Sequence, residues 1–526
     1  MPRMKKGSSG VIGIDLGTRN AQCACLDADG RPVLIPNRWG RTNTPSIVGR
    51  DDSGWLVGED ALRASLQGLQ YVWWDLKRKV GTDFKAVCGK KRYSPQELIV
   101  PLIAALREDA EAFLENFVSS CVLAVPACFS VAQRKAMVQA GLDAGLQEVG
   151  IVNEPTAAAL SFGETGRFLI LDFGAGTVDI SVVESEQGML HVLESLGSSG
   201  IGGHDFDQAL AEYLRERLLL PPLSLEDPRW RMLLAEAENI KIALSSAVSH
   251  VWTPPAFGTQ DGSPPIVVER EELERVIRFP IRRLVHTVRR LWEKHEPDRL
   301  LLVGGSSRIP LLSGILEREV ARPTSIHLCP YESVALGAAL HTRAGEEHLL
   351  IDALSGDIGI LEDDRPRKVI ASGTPLPTRA ETTLTALRPG ILEIPVFQNV
   401  GDFGERQIIL SVLKIEADKG EELSLTFRLD SSGHLEVEVL RAGGEKTTLS
   451  PLDIHRNSFH EPRESWLFAQ KLDRLKLRLT PLEVSMTPEQ QENLHLLVGQ
   501  IESLQGDAQA LNVLEGLVRE LEVELS

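Results

Sequence analysis

One stretch of this 526-residue chain combines an apolar run, an aspartate and closely spaced glycines. It reads LILDFGAGTVDIS at 169–181, with Asp172 after the apolar run and Thr177 after the glycine turn. Glycine lacks a Cβ and reaches positive φ, so such a hairpin can bring backbone N–H groups against an anion. A carboxylate at the end of the first strand suits a hydrated Mg²⁺, which takes oxygen ligands. The stretch therefore predicts a phosphate and Mg²⁺ site, although an ordinary glycine-containing hairpin has the same pattern.

A second copy of this pattern lies near the start of the chain, where VIGIDLGT at 11–18 contains Asp15. Two similar hairpins in one chain predict a duplicated αβ pair that holds one phosphate ligand between its halves. Pepsin-like aspartic proteases also carry two Asp-x-Gly-Thr/Ser motifs. Their central residue is normally Thr or Ser, whereas here it is Leu16 and Phe173, and long helical segments separate the copies. An all-β protease is therefore disfavoured.

Length and composition limit the class of protein. A chain of 526 residues is too long for one core and predicts three or more folding units. The formal net charge of −18 argues against nucleic acid or an anionic membrane as partner, unless a local basic patch overrides it. Six cysteines without a CxxC pair are typical of a reducing compartment. No signal peptide is recognisable and the longest apolar run is shorter than a membrane span, so the expected location is the cytoplasm.

The elements that must position these hairpins follow from periodicity. Apolar residues at helical spacing predict helices at 95–117, 131–145, 230–246, 271–292 and 334–340. A strand ending at Asn153 is followed by Pro155 as the first residue of a helix, which displays Glu154 at the junction. The strand and glycine turn at 300–310 also suit a nucleotide, whereas the glycine-rich loop at 197–207 is weak evidence on its own. On their own, Lys77–Lys79 and the polar residues of the 230–246 helix are interpreted as solvated helix faces.

The composition changes near residue 346. Alternating apolar residues at 423–429 and 435–439, separated by a polar turn, predict a hairpin within an antiparallel β domain at 353–455. Residues 349–352 form a short apolar connector before it. Thr487 and Pro488 predict a helix start, and two short helices would finish the chain.

The motifs IGIDLGT, NEPTAAAL, LDFGAGT, GGHDFD and GGSSRIP, in this order and followed by the β domain, resemble the seventy-kilodalton heat-shock chaperones of the DnaK type. The resemblance covers about residues 11–454. It implies an α/β actin-like two-lobed ATPase domain at 1–345, an interdomain linker at 346–354, an antiparallel β-sandwich for extended apolar peptides at 355–455 and a short α-helical tail at 486–526. It also implies ATP and Mg²⁺ as cofactors, unfolded polypeptide clients, and partners that can include a nucleotide-exchange factor.

The resemblance also assigns residues by position. Catalytic roles fall to Lys77, Glu154, Asp172, Thr177 and Asp179, and Asp15 and Asp172 would hold Mg²⁺ through water. Nucleotide contacts fall to Asp15, Gly17, Thr18, Gly174, Gly176, Gly202, Gly203, Glu238, Lys241, Ser245, Gly304, Gly305, Ser306 and Arg308. The relay between domains falls to Pro126, Arg134, Leu349, Leu350, Ile351 and Asp352, and peptide contacts to Leu392, Ile394 and Val396. Lys77 then reaches the γ-phosphate instead of solvent, in a site that acts by positioning and charge stabilisation.

Several positions depart from the family pattern. Ile242 stands where the family usually places an arginine over the adenine, and Tyr331 stands where an aspartate near the ribose is usual. Gly150 replaces a basic residue that helps to bind the J-domain co-chaperone, which puts that partner in doubt. The tail is shorter than a full lid. Two alternatives stay open: an ATP-regulated scaffold for one dedicated client, and a small-molecule kinase on the same actin-like core, which would not explain the linker and β domain.

Overall fold

A computed structural model describes residues 10–186, 189–224, 227–255, 264–320, 325–327, 332–342, 349–362, 365–400, 406–430, 433–441 and 446–449. All of them belong to one unit, Met1–Asp453. The predicted helical tail at 486–526 and Tyr331 lie outside the described residues. Within the described residues, no helix is both long enough and apolar enough to cross a membrane.

The first lobe is built around a mixed sheet. Its elements are β1 (Val11–Leu16), β2 (Asn20–Leu26), β3 (Pro32–Ile35), β4 (Thr44–Pro45), β5 (Val48–Arg50), β6 (Trp55–Val57), α1 (Glu59–Leu66), β7 (Val72–Trp73), α2 (Leu76–Lys79), β8 (Ala86–Cys88), β9 (Lys91–Tyr93), α3 (Pro95–Leu114), β10 (Ser120–Val125), α4 (Val131–Asp143), β11 (Glu148–Asn153) and α5 (Glu154–Phe162). The sheet order is β11-β10-β1-β2-β3, with β4 beside β2. Strand β1 runs parallel to β10 and antiparallel to β2.

The second lobe repeats this plan. Its elements are β12 (Gly166–Phe173), β13 (Val178–Glu186), β14 (Met189–Ser198), α6 (Gly203–Arg217), α7 (Pro228–Ser246), β15 (Ser249–Trp252), β16 (Ile266–Glu269), α8 (Arg270–His295), β17 (Arg299–Val303), the 3₁₀ helix η1 (Gly305–Arg308), α9 (Pro310–Glu319), β18 (Ser325–His327) and α10 (Ser333–His341). The order β18-β17-β12-β13-β14 has the same parallel and antiparallel neighbours as the first sheet. The duplication inferred from the two hairpins is therefore visible in the topology.

The central strand β12 shows why both sheets carry nearly continuous apolar runs. Leu169 and Leu171 lie in the core formed with α6, α7 and α8, whereas Ile170 lies in the core on the opposite face. Because helices cover both faces of the sheet, neither side of the strand meets solvent, and its residues need not alternate between apolar and polar. The small-residue helix α10 packs against α5 between the lobes, through residues such as Ala157 and Ala338.

The last described part is a sandwich of two four-stranded antiparallel sheets. Its strands follow the short strand β19 (Leu349–Ile351) and are β20 (Ile358–Glu362), β21 (Arg365–Ile370), β22 (Thr378–Thr385), β23 (Gly390–Val400), β24 (Arg406–Ala417), β25 (Glu422–Leu429), β26 (Leu435–Arg441) and β27 (Lys446–Leu449). The sheet orders are β21-β20-β23-β24 and β22-β25-β26-β27. The predicted hairpin is β25–β26, and its alternating apolar residues are buried in the core.

Helix bounds differ from the prediction mainly at their ends. Helix α3 stops at Leu114 instead of 117 because Glu115 adopts a left-handed conformation with φ 50°. The interpretation of Lys77–Lys79 as a solvated helix end is wrong for Lys77, which lies in the four-residue helix α2 and is only 5% exposed. Lys241, placed by pattern on a solvated helix face, is also buried.

Candidate active site

Equivalent positions in the two lobes carry the paired aspartates. Asp15 is the penultimate residue of β1, and Asp172 is the penultimate residue of β12. In the antiparallel hairpin of the second lobe, Asp172 lies directly opposite Asp179. The carboxyl ends of central strands are where α/β folds display functional groups. The hairpins thus bring their carboxylates to one cleft.

Lys77 and Glu154 form a buried ion pair in this cleft. The lysine comes from α2 and the glutamate from the first residue of α5, where the strand β11 ends. Burial alone would lower the pKa of Lys77, but the carboxylates of Glu154 and Asp15 raise it above its ordinary value. The lysine is therefore a permanent positive charge that is held in place before any ligand binds.

The remaining carboxylates of the cleft carry more negative charge than one lysine can balance. Burial, followed by the neighbouring Glu154, raises the pKa of Asp179 to about 7 and the pKa of Asp172 well above its ordinary value. Burial also raises the pKa of Asp15 to about 7, although Lys77 opposes the shift. A divalent cation would relieve this excess of negative charge.

The donor set fits Mg²⁺ held through water. Asp179 accepts a hydrogen bond from the Cys128 N–H at 3.0 Å through Oδ1, while its buried Oδ2 has no partner among the described residues. Mg²⁺ takes oxygen ligands and usually keeps several of its waters. Within the described ranges, no three acidic, histidine or cysteine side chains converge to ligate one ion directly. Asp15 and Asp172 are the residues that the resemblance assigns to holding this ion through its waters.

Three glycine-containing segments converge on the hairpin of the second lobe. The Gly203 N–H donates to the Gly174 carbonyl at 3.1 Å, and the Ser306 hydroxyl donates to the same carbonyl at 2.8 Å. Gly304 has φ 79°, and a Cβ on it would lie 2.3 Å from the Phe173 carbonyl oxygen. A Cβ on Gly176 would lie 2.3 Å from the Thr18 hydroxyl of the first lobe. The two hairpins therefore face each other through glycines that have no side chain, and this lets backbone N–H groups approach a phosphate.

Helix α7 supplies the polar residues expected near the base and ribose. Lys241 pairs with Asp207 at 2.6 Å and donates to the Gly203 carbonyl at 3.0 Å. The Ser245 hydroxyl donates back to the Lys241 carbonyl at 3.0 Å, and Ile242 is 60% exposed. Lys241 thus holds the glycine loop at 202–203 in place. Among the other predicted nucleotide contacts, Gly17 lies in the hairpin of the first lobe, Gly202 directly before α6 and Gly305 at the start of η1. Arg308 is exposed at the end of η1.

Contacts between the lobes were missed by sequence reasoning. Arg19 pairs with Glu238 at 2.6 Å, and Arg78 pairs with Asp205 at 3.0 Å. The His204 ring lies 3.6 Å from an Asp75 carboxylate oxygen. Burial lowers the pKa of His204, while Asp75 opposes the shift. The arginines adjoin predicted site residues, but nothing in the sequence indicates their partners more than a hundred residues away.

Two of the predicted relay residues, Arg134 and Asp352, are joined through Asn153. Strand β19 pairs in parallel with β14 at the edge of the second-lobe sheet, and Asp352 follows it immediately. The Asn153 amide donates to both oxygens of Asp352, at 2.8 and 2.7 Å, and accepts from Arg134. Arg134 also donates to the Ala127 carbonyl, next to Pro126, at 3.4 Å. Asn153 is the connecting residue that the motif reading assigned only to a strand end.

A second contact joins the sandwich to the first lobe. The Gln398 side chain, 1% exposed, accepts a hydrogen bond from the Val131 N–H at 3.1 Å, at the start of α4. Val131 itself belongs to the sandwich core. The predicted peptide-binding residues lie on β23, where Ile394 and Val396 are buried in this core and Leu392 is half-buried. Their contact with a peptide stays a prediction.

The duplicated lobes with facing hairpins, followed by a sandwich, define a two-lobed α/β protein of the actin-like class with an appended β domain. The model of the Hsp70 protein family matches residues 11–89 and 85–458. The chain therefore belongs to the Hsp70 family. It is similar to the chaperone protein DnaK of Thermotoga maritima, with 31% identity over 473 residues, and of Thermosipho melanesiensis, with 32% over 474. Both alignments cover 83% of this chain and 79% of the relative.

Proposed function

We propose that this protein is an ATP-hydrolysing chaperone whose affinity for extended apolar peptides is coupled to the nucleotide through the 349–352 linker. The observation that carries the proposal is the buried Lys77–Glu154 pair among three carboxylates with raised pKa values. Family membership and the DnaK relatives support chaperone activity. Perturbed, converging charged groups in a cleft are typical of a catalytic site.

Each residue has a definite task in this proposal. Lys77 donates to the γ-phosphate, where negative charge develops during transfer, and the Thr18 and Thr177 hydroxyls hold the phosphates. Glu154 and Asp179 orient the attacking water. Mg²⁺ would supply positive charge that stabilises the phosphate groups, and Asp15 and Asp172 would hold it through water. The protein's own residues act by position and charge, without a covalent intermediate.

Coupling runs through the linker in this proposal. Strand β19 occupies the free edge of the second-lobe sheet while Asp352 is bonded to Asn153 and the sandwich contacts Val131 through Gln398. Releasing β19 would break these contacts together, so the position of the sandwich and the state of the cleft depend on each other. A ligand that prefers one arrangement then shifts both.

One observation favours the dedicated-client scaffold as a second candidate. Ile394 and Val396 are 2% and 0% exposed, so in this arrangement they do not form an open apolar groove. A scaffold would bind a folded partner without a general preference for apolar peptides.

Steady-state ATP turnover with and without a library of apolar peptides tests the proposal. We expect stimulation by many unrelated peptides. Basal turnover that no peptide changes would favour the scaffold, and the absence of ATP hydrolysis would refute the catalytic assignment.

A further inference from the structure

Helix α8 carries a concentration of positive charge that the nucleotide cleft does not use. The 18 residues at 275–292 contain six arginines and no aspartate or glutamate, in a chain of formal net charge −18. We call this set the α8 ridge: Arg275, Arg278, Arg282, Arg283, Arg289 and Arg290.

The ridge lies on one side of the helix. Its main spacings of three, four and seven residues return to the same face of an α-helix. The opposite face is buried against the second-lobe core through Ile277, Ile281, Leu284, Val288 and Leu291. Five ridge arginines are exposed and Arg289 is half-buried. The arginines are thus presented outward by a rigid, well-packed element.

Some of the ridge arginines, namely Arg275, Arg283 and Arg289, have partners within the protein. Arg275 stacks over Tyr213 with 5.5 Å to the ring centre, and Arg289 lies 3.8 Å from Glu293 and 3.4 Å from His286. Among the described residues, no carboxylate forms an ion pair with Arg278, Arg282 or Arg290. Like charges one turn apart destabilise a helix. Carboxylates at these spacings stand only towards the ends of the helix, at Glu271, Glu272, Glu274 and Glu293, and none lies between Arg275 and Arg290 in the sequence. An external anion would therefore balance the charge in the middle of the ridge.

An apolar side chain sits within the charged face. Phe279, on the same turn as Arg278 and Arg282, is 80% exposed. A large exposed aromatic side chain among arginines matches the residue types enriched at protein interfaces. The ligand should therefore combine several negative charges with at least one apolar group.

The length of the ridge indicates which kind of negatively charged ligand it can bind. From Arg275 to Arg290 it extends about 22 Å at roughly 1.5 Å per residue. A peptide of about seven extended residues, at roughly 3.3 Å each, covers that length. A bilayer or a long duplex would extend past the ridge towards the rest of a chain whose formal net charge is −18, which disfavours a polyanion of that size. Arginine also matches carboxylate geometry through paired hydrogen bonds.

We propose that the α8 ridge binds a short acidic segment of a partner protein, with an apolar residue of that segment packed on Phe279. The ridge recognises about seven residues in extended form. This site is separate from the ATP cleft and does not depend on the proposed chaperone cycle.

The test is fluorescence anisotropy with the full chain and a fluorescein-labelled heptapeptide of six acidic residues around a central leucine. The triple variant R278Q/R282Q/R290Q should raise the Kd at least tenfold, and R278K/R282K/R290K should raise it less, because lysine keeps the charge but loses the paired bonds. The control R31Q/R92Q/R388Q removes the same charge from exposed arginines elsewhere and should change the Kd less than twofold. F279A should weaken the leucine peptide several-fold and a glycine-centred peptide hardly at all.

Three outcomes would overturn the proposal. The first is no binding by the wild-type chain at 50 mM salt, and the second is an equal Kd for the ridge and control variants. The third is tighter, ridge-dependent binding of a 20-base-pair DNA duplex or of phosphatidylserine vesicles, which would assign the ridge to phosphate instead of carboxylate. Circular dichroism and basal ATP turnover verify that each variant is folded.

Discussion

The nucleotide cleft and the β-sandwich bury opposite kinds of side chain. The cleft buries charge, with Lys77, Glu154, Asp172 and Asp179 all less than a tenth exposed. In the part of the sandwich that the structure describes, the buried polar side chains are uncharged, namely Thr382, Gln398, Ser411 and Thr426. Burying ionised groups costs free energy, whereas burying apolar groups stabilises the fold. The cleft is therefore arranged for chemistry at the expense of stability, and the sandwich core for stability.

This contrast predicts different effects for mutations in the two regions. A change in the cleft should alter rates more than folding, and a change in the sandwich core should alter folding more than basal rates. The linker and the Gln398 contact connect the two regions. Changes there should leave both local properties intact and alter only their coupling.

The largest expected effect is on chemistry. Lys77→Ala should reduce single-turnover ATP hydrolysis roughly 10²–10³-fold, because it removes a donor to charge that develops in the transition state. Binding of ATP should change only a few-fold. Quench-flow measurements at saturating enzyme check the rate, and Lys85→Ala, an exposed lysine nearby, is the matched control.

Because the variant leaves Glu154 buried without its ion pair, thermal melting must accompany these rates. Near-normal single-turnover hydrolysis in a folded variant would remove Lys77 from the mechanism.

The next prediction concerns the stability of the sandwich, with basal ATP turnover expected to stay unchanged. Phe427→Ala should destabilise the sandwich by about 3–5 kcal/mol, since a fully buried aromatic ring leaves a cavity. Basal ATP turnover should stay within about twofold. Hydrogen exchange of β25 and β26 measures the stability, and Leu440→Ala, 46% exposed on the same hairpin, should cost little. An equal fall in basal turnover would show that the two regions are not separable.

Much of this contrast could be predicted from the sequence. Asp15 and Asp172 stood out because each follows an apolar run and precedes a glycine turn, and β25–β26 because period-two alternation marks a strand with one buried face. Such signals depend only on neighbours in the chain. The family resemblance supplied the role of Lys77, whose local pattern indicated solvent exposure.

The contacts between the lobes and with the sandwich depend on residues that are far apart in the sequence. Arg19 and Glu238 are 219 positions apart, and Gln398 and Val131 are 267 apart. Their pairing is fixed by how the lobes and the sandwich pack, which no local periodicity records. The left-handed Glu115 that ends α3 is likewise a non-glycine exception to the usual helix-stop signals.

A smaller effect tests the connection between the regions. Replacing Leu349, Leu350 and Ile351 by Asp should abolish peptide stimulation of ATP turnover while basal turnover stays within about twofold. Three carboxylates on β19 would repel each other and solvate the strand, so its pairing with β14 would be lost. Steady-state turnover with a stimulating peptide is the readout, and Leu387→Asp, 68% exposed in a sandwich loop, is the control. Stimulation that survives unchanged would make the linker a passive tether.

The smallest expected effect concerns the polar contact between the lobes. Burial lowers the pKa of His204, and the nearby Arg19 and Arg78 act in the same direction, while Asp75 and Asp205 oppose them. A histidine with a lowered pKa stays neutral in the folded protein while the unfolded chain takes up a proton near pH 6.5. The wild-type protein should therefore lose stability through this group as the pH falls below about 7, down to the folded-state pKa.

Glutamine cannot take up that proton, so His204→Gln should show a smaller fall in melting temperature between pH 7 and pH 5.5. Other groups titrate equally in both proteins, which makes the difference between the two slopes the measured quantity. Identical slopes for His204→Gln and the wild type would mean that His204 takes up its proton equally in the folded and unfolded protein, which would refute a lowered pKa in the folded state.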